Sequence, residues 1–275
     1  MATDGRRPAT LRRDQVVVTV SAVVWVLGTL VGTGLVGDAG GVEEQGEGLF
    51  TDSTTLIAPH GPAFAIWSVI YLFLAAYVLW QWLPRAAGSR WAARSRLPAA
   101  ASLALNGIWL LVVRAGWVTV SVLVIAGIAV ALGLVLARTA QLPDEGWEAG
   151  VLVGVTYGLY LGWICVATCA NVALWLVGLG VPEDGLAATV VTLVVLAVVV
   201  GLVALLLGRT PHRTLQGALA AAVVWGLAWV SVGRFVGDLR NDAVGYAATL
   251  AAVLVAALGA RALARARHTS AGRGV

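Results

Sequence analysis

Aromatic and amide side chains recur at helical spacing in three separate apolar segments of the chain. Residues three, four or seven positions apart lie on one face of an α-helix, so each segment presents a stripe of such groups. The stripes contain Phe64, Trp67 and Tyr71, then Asn106 and Trp109, then Tyr160, Trp163, Ala167 and Asn171. Rings that stack on a ligand and amides that orient it predict a pocket for a small apolar or planar molecule.

The same residue types also have structural uses in membranes. Tryptophan and tyrosine favour the membrane–water interface, and buried asparagine can tie helices together. The spacing alone leaves both interpretations open. In helices that cross a membrane alternately, the three stripes fall at a similar depth near the outer surface, where they can converge.

Residues suited to acid–base, nucleophilic or metal chemistry do not cluster in the sequence. His60, His212 and His268 lie in separate connectors or in the tail, whereas a metal site needs several ligands together. The apolar segments contain no charged residue or histidine, which disfavours carboxylate hydrolases and ion-coupled carriers. We therefore expect no catalytic residues, no metal and no required cofactor, and a non-enzymatic role is favoured over an enzyme.

Long apolar helices must position the three stripes. Of the 275 residues, 60% are hydrophobic and 12% charged, with a mean hydropathy of +0.89, which is outside the range of soluble domains. The predicted fold class is all-α, a polytopic membrane helical bundle of about eight transmembrane helices. The predicted spans are residues 16–37, 63–83, 97–113, 117–137, 150–178, 186–208, 215–233 and 243–260.

The charges predict an orientation in the membrane. With both termini inside, only Arg114, Arg234 and Arg240 of the 18 basic residues, all arginine, lie in outer connectors, as the positive-inside rule requires. We expect a multi-pass protein of the cell membrane, the bacterial inner membrane, with cytoplasmic N- and C-termini. Because the arginines are scattered among connectors, membrane lipid and not nucleic acid is the expected partner.

Glycines spaced by four predict close helix packing. They are Gly150, Gly154, Gly158 and Gly162 in the fifth segment, and Gly28 and Gly32 in the first. We expect the glycines of the first segment to pack against those of the fifth, either within one chain or between two chains. The first outer connector, residues 38–61, is the longest and contains five acidic residues; it is either a lid over the stripes or a solvated loop.

With these residues assembled, the chain resembles the TspO/MBR family, the tryptophan-rich sensory proteins related to the mitochondrial translocator protein. The resemblance covers about residues 16–180. The family's second helix begins with proline and continues with Phe, Trp and Tyr, similar to Pro62, Phe64, Trp67 and Tyr71. Its third and last core helices carry residues similar to the second and third stripes.

The resemblance implies a five-helix core, commonly dimeric, whose pocket is capped by the loop after the first helix and binds porphyrins, sterols or other planar ligands. Two features depart from the family: three further helices follow the core, and the connector before Pro62 lacks the family's Trp and paired prolines. The predicted organisation is a basic cytoplasmic N-terminus (1–15), a TspO-like core (16–180), a three-helix extension (181–260) and a basic cytoplasmic tail (261–275).

The function that we expect from the sequence is binding of a hydrophobic or planar ligand, such as a porphyrin or other tetrapyrrole, as a sensor or carrier. Two other functions stay open. A secondary transporter of a small neutral metabolite would use the extra helices as a moving half around a midplane site. A membrane assembly protein would bind its partner through the glycine face of the fifth segment.

Overall fold

The computed structural model of the protein describes residues 8–34 and 53–271, and the side chains of residues 9–34 and 53–265. Within these ranges the protein is all-α, with eight helices long and apolar enough to cross a membrane. The prediction of an eight-helix bundle is therefore confirmed. The long helices are α1 (Pro8–Gly32), α2 (Gly61–Trp80), α3 (Arg90–Arg114), α4 (Val118–Thr139), α5 (Trp147–Gly178), α6 (Gly185–Arg209), α7 (Arg213–Val236) and α8 (Asp242–Ala271).

Helix α3 begins at Arg90, seven residues before the predicted start of the span at residue 97. The Ser89 side chain caps it by accepting a hydrogen bond of 3.0 Å from the Ala92 N–H, as N-cap serines do. The additional turns place the buried Arg96 inside the helix, where its guanidinium donates to the Ala86 carbonyl at 3.0 Å. An apolar run starts where the charges stop, whereas a helix starts at its cap. Helix α1 likewise begins before its predicted apolar run, and α8 ends after its run.

The helices pack in an order that differs from their order along the chain. Helix α1 lies against α3, α3 against α4, and α4 against α5. Helix α5 also packs against α2 and α7, and α8 packs against both α7 and α6. Helix α5 therefore makes the largest contact between the first five helices and the last three.

Glycines allow two of the closest helix contacts. Gly28 and Gly32 of α1 lie against α3, and a methyl group added at Gly107 of α3 would come within 2.5 Å of a carbonyl oxygen of α1. The glycines of α5 lie against α7, where a methyl group at Gly158 would come within 2.7 Å of the Leu215 carbonyl oxygen. Small residues let helix backbones approach this closely in membranes. The prediction that Gly28 and Gly32 pack against the glycines of α5 is wrong. Within the chain, the glycines of α1 pack against α3, and the glycines of α5 pack against α7.

The α5–α7 contact crosses the division predicted after residue 180. The four glycines of α5 meet small residues or backbone of α7, including Thr214, Ala218 and Ala222. The last three helices are therefore packed onto the preceding five along most of α7. The domain boundary itself stays a prediction from the sequence.

Candidate functional site

Trp67 lies at the centre of a cluster of rings contributed by α2 and α5. Its ring centroid is 5.2 Å from that of Tyr71, 5.9 Å from that of Tyr160 and 6.1 Å from that of Trp163. Phe64 adds a contact with Trp163 at 5.8 Å, with the ring planes at 80°. Edge-to-face pairs at these distances are favourable. The first and third stripes identified in the sequence thus meet in space.

The way in which α2 begins places its rings over α5. The first residues, Gly61–Ala65, form a 3-10 turn with Pro62 at its start, where the missing N–H of proline costs no helix hydrogen bond. Phe64 in this turn and Trp67 just after it are half-buried, whereas Tyr160 and Trp163 are fully buried in α5. Helix α5 therefore forms the floor of the cluster and α2 one of its walls.

A layer of polar contacts joins the helices next to these rings. The Tyr71 hydroxyl donates to Asn106 Oδ1 of α3 at 3.1 Å, and the Tyr160 hydroxyl donates to the Ser102 carbonyl at 3.4 Å. Trp25 of α1 packs edge-on against Tyr71, with centroids 5.2 Å apart. The sequence analysis did not single out Trp25, because α1 carries no ring at helical spacing from it. The layer ties α1, α2, α3 and α5 together.

Asn171 lies apart from this layer. Its Oδ1 atom accepts a hydrogen bond of 3.1 Å from the Ser121 hydroxyl of α4, and both residues are fully buried. Interhelical hydrogen bonds of this kind hold membrane helices together. Asn171 also does not line the cavity between the rings. The structure therefore places it as a tie between α4 and α5, and Ser121 is the partner that its spacing could not reveal.

A small cavity lies among the rings, towards the end of the bundle at which α2 begins and α3 and α5 end. Its volume is about 20 Å³, enough for about one water molecule. Within the described residues, the indole N–H of the buried Trp163 has no hydrogen-bond partner. A buried donor without a partner is energetically costly, so an acceptor placed in the cavity would stabilise it. The cavity is lined by Thr54, Ala58, Pro59, Phe64, Trp67, Trp109, Trp163, Ala167 and Ala170.

The last residues of the first connector, 53–60, cover this cavity. Thr54, Ala58 and Pro59 line it, and Leu56 and Ile57 are buried beside them. The described part of the connector is thus a packed cover over the rings. Its acidic residues, between positions 38 and 52, lie outside the described residues.

Helix α7 holds this cover in place from the side. The His60 backbone N–H donates to the Trp229 carbonyl at 3.1 Å, and the two side-chain rings are stacked with centroids 6.0 Å apart. The Trp225 indole N–H donates to the Ala63 carbonyl at 2.8 Å. Trp225 and Trp229 are four residues apart, which is the same signal that identified the other stripes. Spacing alone, however, does not show which neighbouring element a ring contacts.

The model of the family described as TSPO-like protein matches residues 16–260. The chain belongs to the TSPO-like family. The comparisons with curated proteins and with solved structures give no match. The match to this membrane-protein family, together with the eight apolar helices, makes the chain a multi-pass membrane protein.

The matched region of this TSPO-like protein extends over all eight helices, and so includes α6, α7 and α8 as well as the part that resembles the TspO/MBR core. The elements that form the cluster of rings, its cover and the contact with α7 are all within it. Among the described residues, no group of three or more histidine, cysteine, aspartate or glutamate side chains is placed to hold a metal ion.

Proposed function

We propose that this TSPO-like protein binds a hydrophobic, planar ligand of the porphyrin type in the cavity among Phe64, Trp67, Trp109 and Trp163, and acts as a sensor or carrier of that ligand. The observation that carries the proposal is the buried Trp163 N–H, which has no partner among the described residues, beside a cavity lined by four aromatic rings and mostly apolar residues. Large rings supply stacking area for a planar molecule, and one directed donor orients a polar edge of it.

The size of the cavity sets the mechanism of binding. About 20 Å³ is far below the roughly 300 Å³ or more of typical small-molecule sites. A porphyrin therefore enters only when the connector residues that cover the rings move away and the half-buried Phe64 and Trp67 turn. Binding then exposes connector residues that are buried in the closed state, namely 55–59. This change is a means by which the protein signals that the pocket is occupied, as a sensor, or releases the ligand, as a carrier.

The experiment is a titration of the detergent-solubilised protein with protoporphyrin IX, followed by the Soret absorbance so that removal of a tryptophan does not alter the signal. We compare Trp67→Leu and Trp163→Phe with a control, Trp147→Leu, because Trp147 is 74% exposed and outside the cavity. The proposal requires saturable binding that Trp67→Leu weakens about tenfold or more, the loss of one well-packed stacking partner. Trp163→Phe keeps a ring but removes the N–H, so a weakening of about three- to tenfold is expected.

Thermal unfolding of each variant separates a lost contact from a lost fold. Saturable binding that the control retains and the two cavity variants lose at little change in unfolding temperature supports the proposal. Binding that does not saturate, or that is equal in all four proteins, contradicts it. In that case a small neutral metabolite becomes the better candidate ligand, and transport the better candidate function.

A further inference from the structure

A second concave site lies at the opposite end of the bundle from the covered cavity, where α6 ends, α7 begins and the last described part of α8 passes. It is a cleft of about 590 Å³, within the range of small-molecule sites. Part of its lining on α6 and α8 is apolar, namely Ala204, Leu207, Leu258 and Ala262, and Ala204 and Leu258 lie nearest the middle of their helices. The cleft therefore has an apolar wall continuous with the membrane-spanning part of the helices.

The other part of the cleft is basic. Arg209 at the end of α6 and Arg261 and Arg265 on α8 line it, and its lining contains no carboxylate. Arg209 and Arg261 are exposed. Arginine is well suited to phosphate groups because its planar guanidinium presents several donors at once. The lining thus combines a concentration of positive charge with an apolar surface, which matches the two parts of a phospholipid.

The described acidic residues near this end of the bundle are engaged elsewhere. Glu145 accepts hydrogen bonds from Ser89 and from the Arg90 backbone, and Glu148 pairs with Arg85. Asp144 accepts a hydrogen bond from the Gly146 N–H. None of these carboxylates pairs with Arg209 or Arg261, so both guanidinium groups are accessible to an anion from outside the chain.

A buried amide fixes the shape of the cleft. Gln216 of α7 is 5% exposed, and its Nε2 atom donates to the Leu207 and Thr210 carbonyls at 3.1 and 2.7 Å. These two bonds fix the amide, and its Oε1 atom has no partner among the described residues. Gln216 therefore joins the start of α7 to the end of α6, next to Arg209.

We propose that this cleft binds the phosphodiester headgroup of an anionic glycerophospholipid. Arg209 and Arg261 contact the phosphate, and the acyl chains lie along the apolar wall. A basic pocket between membrane helices is a recognised form of lipid headgroup site. The apolar wall favours a lipid over free phosphate, which would leave that wall exposed.

The test measures thermal unfolding of the full chain in a neutral detergent as dioctanoyl-phosphatidylglycerol is added, and derives an apparent affinity from the rise in unfolding temperature. Dioctanoyl-phosphatidylcholine and inorganic phosphate are added in parallel. The double variant Arg209→Gln/Arg261→Gln is compared with Arg94→Gln/Arg138→Gln, which removes the same charge from exposed arginines outside the cleft. Arg138 matches Arg209 because each lies in the last turn of its helix.

The proposal requires saturable stabilisation by phosphatidylglycerol, little by phosphatidylcholine, and an affinity roughly tenfold or more lower in the cleft variant but not in the control. If the two double variants lose affinity for phosphatidylglycerol equally, total charge and not the cleft determines binding. If inorganic phosphate stabilises the protein as much as phosphatidylglycerol does, the cleft is a site for free anions. Either result overturns the lipid assignment. If the double variant does not fold, Arg261→Gln alone is used, because Arg261 is not at a helix end.

Discussion

Tyr71 and Asn106 join α2 to α3 by a hydrogen bond of 3.1 Å from the Tyr71 hydroxyl to Asn106 Oδ1. The ring of the same tyrosine contacts Trp67 on one side and Trp25 on another. One side chain thus serves both the polar layer that holds the helices and the cluster of rings that forms the pocket. A substitution that removes the hydroxyl but keeps the ring therefore tests the two roles separately.

We expect Tyr71→Phe to lower the unfolding free energy by about 1 kcal/mol, because it removes one interhelical hydrogen bond and leaves the buried Asn106 oxygen without this donor. The ring contacts remain, and Tyr71 does not line the cavity, so porphyrin affinity should change less than about threefold. Thermal unfolding and the Soret titration measure the two effects. Tyr246→Phe is the control, because Tyr246 is 69% exposed. Loss of binding at unchanged stability would instead make the hydroxyl a ligand contact.

Asn171→Ala should reduce stability without reducing porphyrin affinity. Its amide oxygen is bonded to Ser121 and it does not line the cavity, so the cost is that of an interhelical tie, about 0.6 to 2 kcal/mol. Ser121→Ala and the double variant complete a cycle in which the two losses are not additive. Additive losses, or a porphyrin affinity that falls with Asn171→Ala alone, would contradict this assignment.

The sequence could predict the elements of this bundle because each depends on local composition. Apolar runs of sufficient length predict membrane helices, and each of the eight predicted runs overlaps a described helix. Ring spacing on α2 and α5 could likewise predict faces that present aromatic groups. The ends of the helices were less predictable, because caps such as Ser89 and buried charges such as Arg96 lie outside the apolar runs.

The partners of each face could not be predicted, because pairing depends on the shapes of two surfaces and not on the pattern of one. The glycines of α5 require a close neighbour, yet nothing in their spacing selects Leu215 of α7 over Gly28 of α1. In the same way, Asn171 requires a polar partner, and only the structure identifies Ser121. The cover over the rings depends on α7, which the sequence analysis assigned to a separate extension.

Gly158→Ala should destabilise the protein by about 1 to 3 kcal/mol, the usual cost of overpacking a tight contact. The added methyl group would lie 2.7 Å from the Leu215 carbonyl oxygen, so two helix backbones must separate. Gly133→Ala is the matched control, because a methyl group at Gly133 of α4 meets no atom within 4 Å. Alanine at this position should be neutral or stabilising by up to about 1 kcal/mol. Equal unfolding temperatures for the two variants would show that the α5–α7 contact tolerates separation.

Trp225→Phe tests whether α7 controls access to the pocket. The change keeps an aromatic ring but removes the N–H that donates to the Ala63 carbonyl at 2.8 Å. The first turn of α2, which directly follows the cover, thereby loses a bond to α7, and we expect this loss to disfavour the closed position of the cover. We assume that porphyrin binds only when the cover is displaced. Destabilising the closed state by about 1 kcal/mol then raises the fraction of open molecules by about fivefold. The association rate and the apparent affinity for porphyrin rise by the same factor. Stopped-flow mixing with protoporphyrin IX measures the rate.

Trp175→Phe is the control for this experiment, because it removes a comparable indole hydrogen bond, to Thr119 Oγ1 at 3.1 Å, from residues that do not line the cavity. Faster association in Trp225→Phe alone assigns the step that limits entry to the cover and gives the C-terminal helices a part in ligand binding. Equal rates in both variants and the unaltered chain would mean that the ligand reaches the rings by another route, such as between α2 and the surrounding lipid. In that case the bond from Trp225 would serve only to fix the start of α2.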